Sequence, residues 1–193
     1  GNTAIGAYDG SAQPALRENT GSSNTGIGSG ALSTNTTASN NTGVGYKSLN
    51  QNQTGTRNTA VGAYALEDNT ASNNTGFGYG SLAQNTSGDS NTAVGDHALT
   101  LNTTGTGNTA TGLDALGSVT TGSQNTALGI STGYGVVAGS NNLLLGYNAG
   151  RSDSPSGNII NGNNSVVLGN NNITGLFCAD TSISSSDSRD KTD

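Results

Sequence analysis

Apolar positions along this chain come in short pulses at a regular interval. Each pulse opens on Asn-Thr, continues with Ala or Gly and then an aliphatic or aromatic residue, and closes on Gly. The pulses run Asn2 to Gly6, Asn24 to Gly28, Asn41 to Gly45, Asn58 to Gly62 and Asn74 to Gly78. They continue at Asn91 to Gly95, Asn108 to Gly112 (where Thr111 takes the aliphatic place) and Asn125 to Gly129. Two degenerate copies follow, Asn142-Leu143-Leu144-Leu145-Gly146 and Ser165-Val166-Val167-Leu168-Gly169. Most intervals are 17 residues, one is 16, and the first and last are 22 and 23. A second apolar pair keeps step, its Leu four residues after the motif Gly: Ala31-Leu32, Ser48-Leu49, Ala65-Leu66, Ser81-Leu82, Ala98-Leu99 and Ala115-Leu116.

The pattern predicts short strands, not helices. Thr and the β-branched residue two places on share one pleated face, with Ala or Gly on the other. The recurring Gly suits a bend, and the Asn- and Gly-bearing stretches suit turns. A 17-residue unit interrupted by Gly does not sustain a helix. The Thr and Val face is expected to point inward beside Leu. Even so, one unit buries too little to offset an ordering entropy of about 1–2 kcal/mol per residue. Stacking units as coils about 4.8 Å apart provides a shared hydrogen-bond ladder and continuous side-chain columns. The expected fold is all-β: a parallel β-roll or solenoid, with lateral association thickening a thin core. Residues 1–150 form the repeat region, 151–176 a divergent terminal repeat, and 177–193 a C-terminal stem.

Composition agrees with this picture and excludes several functions. Of 193 residues 31 are Gly, charged residues are 9% and aromatics 4%, so without the period the chain would read as disordered. Six Lys and Arg against a net charge of −6 provide no basic stripe, which argues against nucleic acid. No apolar run approaches the roughly 18 residues of a membrane helix. The chain does not begin with Met and is expected to be a piece of something longer. Cys178 is the sole cysteine, which excludes an intrachain disulfide framework, and a small buried apolar role is expected for it.

Candidate chemistry is sparse. Gly-rich strings such as Gly26-Ile27-Gly28-Ser29-Gly30 and Gly133-Tyr134-Gly135 belong to the repeat and lack the Lys-Ser/Thr of a phosphate loop. Asp89, Asp96, Asp114 and Glu67 fall in different units without a recurring pair, so no glycosidase dyad is expected. No cofactor and no metal are expected; His97 is the single histidine. Thr25, Thr42, Thr59, Thr75, Thr92, Thr109 and Thr126 form one column, read as sharing the inward face with Val rather than as an ice-binding ladder. Aromatic residues cluster just after the motif Gly: Tyr46, Tyr79 and Tyr147 one place on, Tyr8, Tyr64 and His97 two places on. Such rings pack on a neighbouring chain or stack on a sugar, so Tyr46, Tyr64, Tyr79, His97 and Tyr147 are the receptor-binding candidates.

The repeats resemble those of trimeric autotransporter adhesin heads and of phage tail fibres. Ser165-Val166-Val167-Leu168-Gly169-Asn170 is most similar to the adhesin head consensus. The resemblance implies a homotrimeric fibre of parallel β-rolls, on a virion tail or a bacterial surface. Its implied partners are other tail proteins and a bacterial surface glycan or protein receptor. Ser184 to Asp193 resembles the junction at which an endosialidase-type intramolecular chaperone begins, in the motif Ser186-Asp187-Ser188-Arg189-Asp190-Lys191. That likeness implies Ser186 as nucleophile and Lys191 as general base of a self-cleavage, with Asp187 beside the scissile bond. Cleavage is expected only when the chaperone body follows; otherwise the chain is not expected to be an enzyme. A non-catalytic stem of a polysaccharide-degrading tailspike and a monomeric ice-binding solenoid are the other expectations.

Overall fold

Every Asn-Thr pulse becomes one three-residue strand, and from the second pulse onward the chain bends at its Gly. The structure is a computed structural model that describes residues 1–6, 10, 13–152, 154, 156–157 and 159–172. The strands are β1 (Thr3–Ile5), β2 (Thr25–Ile27), β3 (Thr42–Val44), β4 (Thr59–Val61) and β5 (Thr75–Phe77), then β6 (Thr92–Val94), β7 (Thr109–Thr111), β8 (Thr126–Leu128), β9 (Leu143–Leu145) and β10 (Val166–Leu168). They form one parallel sheet in chain order, β1 to β10. Register is kept throughout, Thr25 on Thr42, Thr42 on Thr59, Thr59 on Thr75. The chain is therefore an all-β parallel solenoid with about seven regular turns of roughly 17 residues. The long first and last intervals add one wider coil at each end.

Coils are bonded at more than the strands. The N–H of Leu49 donates to the carbonyl of Ala65, 3.0 Å away in the next coil, and Leu82 and Leu99 repeat this on Ala98 and Ala115. These Leu side chains are fully buried and form the spine of the core with Leu32, Leu66, Leu116 and Leu144. From Leu32 to Leu116 each adopts a left-handed backbone, with φ between 50° and 53°. That conformation costs an L-residue about 1–2 kcal/mol. Burial of a Leu side chain contributes about 1.5–3 kcal/mol, enough to hold the bend. In two later coils Gly133 and Gly150 take the same place, at φ 66° and 77°.

The inward strand residue is the central one, Ala or Gly in β2 to β8 and Leu144 and Val167 in β9 and β10, not Thr and the aliphatic residue beside it. Ala60, Ala93, Ala110 and Ala127 are buried, whereas Thr and the aliphatic residue on either side look outward. The expectation of an inward Thr and Val face is thus reversed, and the reason is space. A Cβ placed on Gly43 would lie 3.0 Å from Ser48 Oγ and 3.4 Å from Leu32 Cγ. Leu already fills the narrow coil, and nothing larger than Ala fits opposite it.

Polar residues complete the interior. The motif Asn is buried in each regular coil, as at Asn58, Asn91 and Asn108. Its Nδ2 donates to a turn carbonyl, such as Asn91 to Gly105 at 2.8 Å, and its Oδ1 accepts the N–H of the next motif Asn, as from Asn108 at 2.9 Å. A second ladder runs through Asn35, Asn52, Asn69, Asn85 and Asn102, each donating to the Asn Oδ1 of the coil before it. The next rungs are the buried Val119 and Val136, so this ladder stops and Asn102 Oδ1 is left without a partner. Buried amides must be satisfied internally, and stacking is what satisfies them.

Candidate functional site

Two surface features repeat along the solenoid: the outer face of the sheet and a row of rings beside it. The outer face carries a Thr column and a parallel aliphatic column. In the second, Ile5, Phe77, Val94 and Leu128 are exposed, Phe77 by 51% and Leu128 by 54%. Towards β9 and β10 the Thr column itself turns apolar, with Leu143 37% and Val166 68% exposed. In an isolated chain this is a long apolar ridge on water.

The second feature brings together four of the five receptor-binding candidates. Tyr46 and Tyr64 rings lie 5.3 Å apart at 80°, Tyr64 and Tyr79 5.6 Å at 75°, and Tyr79 and His97 5.3 Å at 64°. The sequence positions alternate between one and two residues after the motif Gly. In the two middle coils the other place of the pair is small, which leaves room for the rings of the coils on either side. Ala63 accompanies Tyr64, and Gly80 accompanies Tyr79. Gly80 has φ 59°, and a Cβ there would sit 3.2 Å from His97 Cδ2. Edge-to-face pairs of this geometry contribute about 0.5–1.5 kcal/mol each beyond their burial.

Charge flanks the stack. Lys47 Nζ stands 5.7 Å from the Tyr46 ring centre and 5.8 Å from that of Tyr64, within reach of cation–π attraction. It also lies 3.8 Å from Glu67 Oε1. Partial burial raises the Glu67 carboxyl above its ordinary value; Lys47 opposes the rise and Asp68 adds to it. At the far end Asp96 Oδ1 holds His97 Nδ1 at 2.5 Å. Sequence alone singled out the rings, set Glu67 aside as an isolated acid and passed over Lys47; the two neighbour each other only because consecutive coils stack.

Tyr147 is exposed but stands four coils beyond Tyr79 in the same column, past Asp96, Leu113 and Ile130, and does not join the stack. Tyr8, Cys178 and the cleavage residues Ser186, Asp187 and Lys191 lie outside the described residues. No group of three His, Cys, Asp or Glu able to hold a metal occurs among the described residues. Nor is any described helix long and apolar enough to cross a membrane. The chain matches no protein-family model, no curated protein and no solved structure.

Proposed function

We propose that this chain is a structural and adhesive fibre segment, assembled as a homotrimer through the outer face of its sheet. The observation that carries this is the exposed aliphatic column, which becomes apolar across both rows at β9 and β10. An in-register parallel sheet repeats the same side chains at each coil, so parallel copies meet like against like along the rod. Association about a symmetry axis covers the ridge and supplies the core thickness a single coil lacks. The row of rings and Lys47 then stays outside, where a bacterial surface glycan or protein is contacted, and three copies multiply a weak contact. The resemblance of the repeats supports placement on a phage tail or a bacterial surface, and that of Ser186 to Lys191 supports a self-cleaved junction.

Mass in solution tests the assembly. A species of three times 19.0 kDa is expected, and Phe77→Asp with Leu128→Asp should reduce it to one chain with the β-signal intact. A wild-type chain that is monomeric at micromolar concentration refutes the trimer. The outward Thr column supports a second reading, a monomeric solenoid that binds ice. Phe77 in mid-face interrupts the flatness such a surface needs, and freezing-point depression beyond the colligative effect distinguishes the two.

A further inference from the structure

Away from the sheet face and the ring stack, the repeat register builds a cleft from three consecutive coils. One column there reads Gly117, Tyr134, Arg151; in earlier coils the same column holds Asn50, Glu67, Ala83 and Thr100. Gly117 leaves room for the Tyr134 ring, since a Cβ on it would lie 3.1 Å from both Cδ2 and Cε2. The Arg151 guanidinium carbon stands 5.3 Å from the centre of that ring. Glycine, ring and guanidinium are thus successive rungs of one column, with the cation within cation–π reach of the ring. The neighbouring column reads Ser118, Gly135, Ser152, so a missing side chain between two hydroxyls opens the floor. Val137 and Ile160 form an apolar wall. The cleft measures about 320 Å³, room for one sugar ring.

We infer that this cleft binds a carboxylate-bearing sugar unit of the uronic or sialic acid class. The Arg151 guanidinium presents a planar fork of N–H donors that matches a carboxylate in a two-pronged contact. Among the described residues no carboxylate pairs with Arg151. Hydroxyls of Ser118 and Ser152 match the hydroxyls of a pyranose, and Val137 with Ile160 matches its C–H face. A neutral sugar lacks the group that Arg151 selects, and a simple carboxylate lacks the face that the wall selects. The site uses neither the sheet face nor the ring stack, so it does not rest on the fibre reading or on the trimer.

The test is titration of the whole chain with glucuronate, glucose and acetate, followed by amide shifts of Gly117 and Gly135. Glucuronate is expected to bind and to shift both amides, with glucose and acetate each at least roughly tenfold weaker. Arg151→Ala should weaken glucuronate roughly 10- to 100-fold, the range expected for hydrogen bonds to a charged group. Arg151→Lys keeps the charge and the stem but loses the fork, and should recover only part of this. The dispersed amide spectrum of each variant reports that it is folded. Equal binding of glucose, equal binding of acetate, no binding of glucuronate, or unchanged binding by folded Arg151→Ala would each overturn the assignment.

Discussion

Gly105 carries a turn carbonyl that two different ladders satisfy, and this makes the Asn columns quantitatively testable. Asn91 Nδ2 donates to it at 2.8 Å and Asn102 Nδ2 at 3.0 Å. Asn91→Ala removes one donor, leaves the Asn108 N–H without its 2.9 Å acceptor, and opens a small cavity. An unsatisfied buried group costs about 1–3 kcal/mol, so the expected loss is about 2–4 kcal/mol. Asn102→Val acts differently. It removes the unpaired Asn102 Oδ1 but strands Asn85 Oδ1, which accepts from Asn102 at 2.7 Å. The ladder then ends one rung earlier, and stability should change by no more than about 1 kcal/mol. Combined, the two changes strip both donors from Gly105. The double variant should therefore be worse than the sum by about 1–3 kcal/mol. Urea unfolding gives the cycle, and amide hydrogen exchange at Asn108 reads the loss in its own coil, since solenoid coils couple chiefly to their neighbours. Additive energies, or an Asn91→Ala protein as stable as wild type, would refute the claim that these amides hold the coils together.

Other expectations follow from the same geometry. Gly95 has φ 140°, and a Cβ on it would collide with the Gly112 carbonyl; Gly95→Ala should destabilise by more than about 3 kcal/mol, whereas Gly107→Ala, at φ 68° with only Gln124 Cγ at 3.8 Å, should cost about 1 kcal/mol by thermal melting. Leu99→Ala should cost about 2–5 kcal/mol, while Val94→Ser on the outer face should leave the stability of a lone chain within about 0.5 kcal/mol and loosen only an assembly, as read by sedimentation. Glu67 has a raised folded value, so its proton is held more tightly when folded. Its contribution is fully present below the unfolded carboxyl value and is lost as pH rises through the folded one. Glu67→Gln should remove that decline from melting curves taken across the acid range.

Much of the architecture is determined by the sequence alone. Ten pulses mark the ten strands, with Thr3–Ile5 through Val166–Leu168 falling on them, and the Leu four residues past six of the motif glycines, Leu32 to Leu116, lies in the core. Both are legible because a solenoid repeats its local chemistry and leaves a period that no single coil could show. The ring stack was half legible: the aromatics stood out, but their alternation between two offsets acquires meaning only when coils lie side by side. The face of the strand was not legible. Hydrophobicity favours Val over Ala inside, and a three-residue strand is too short for alternation to correct that preference. Tertiary structure decided otherwise on volume, since a coil already filled by Leu admits only Ala or Gly opposite it. The same packing turned the Thr and Val columns out to solvent. It also aligned Gly117, Tyr134 and Arg151, three residues 17 apart whose chemistry depends on being neighbours.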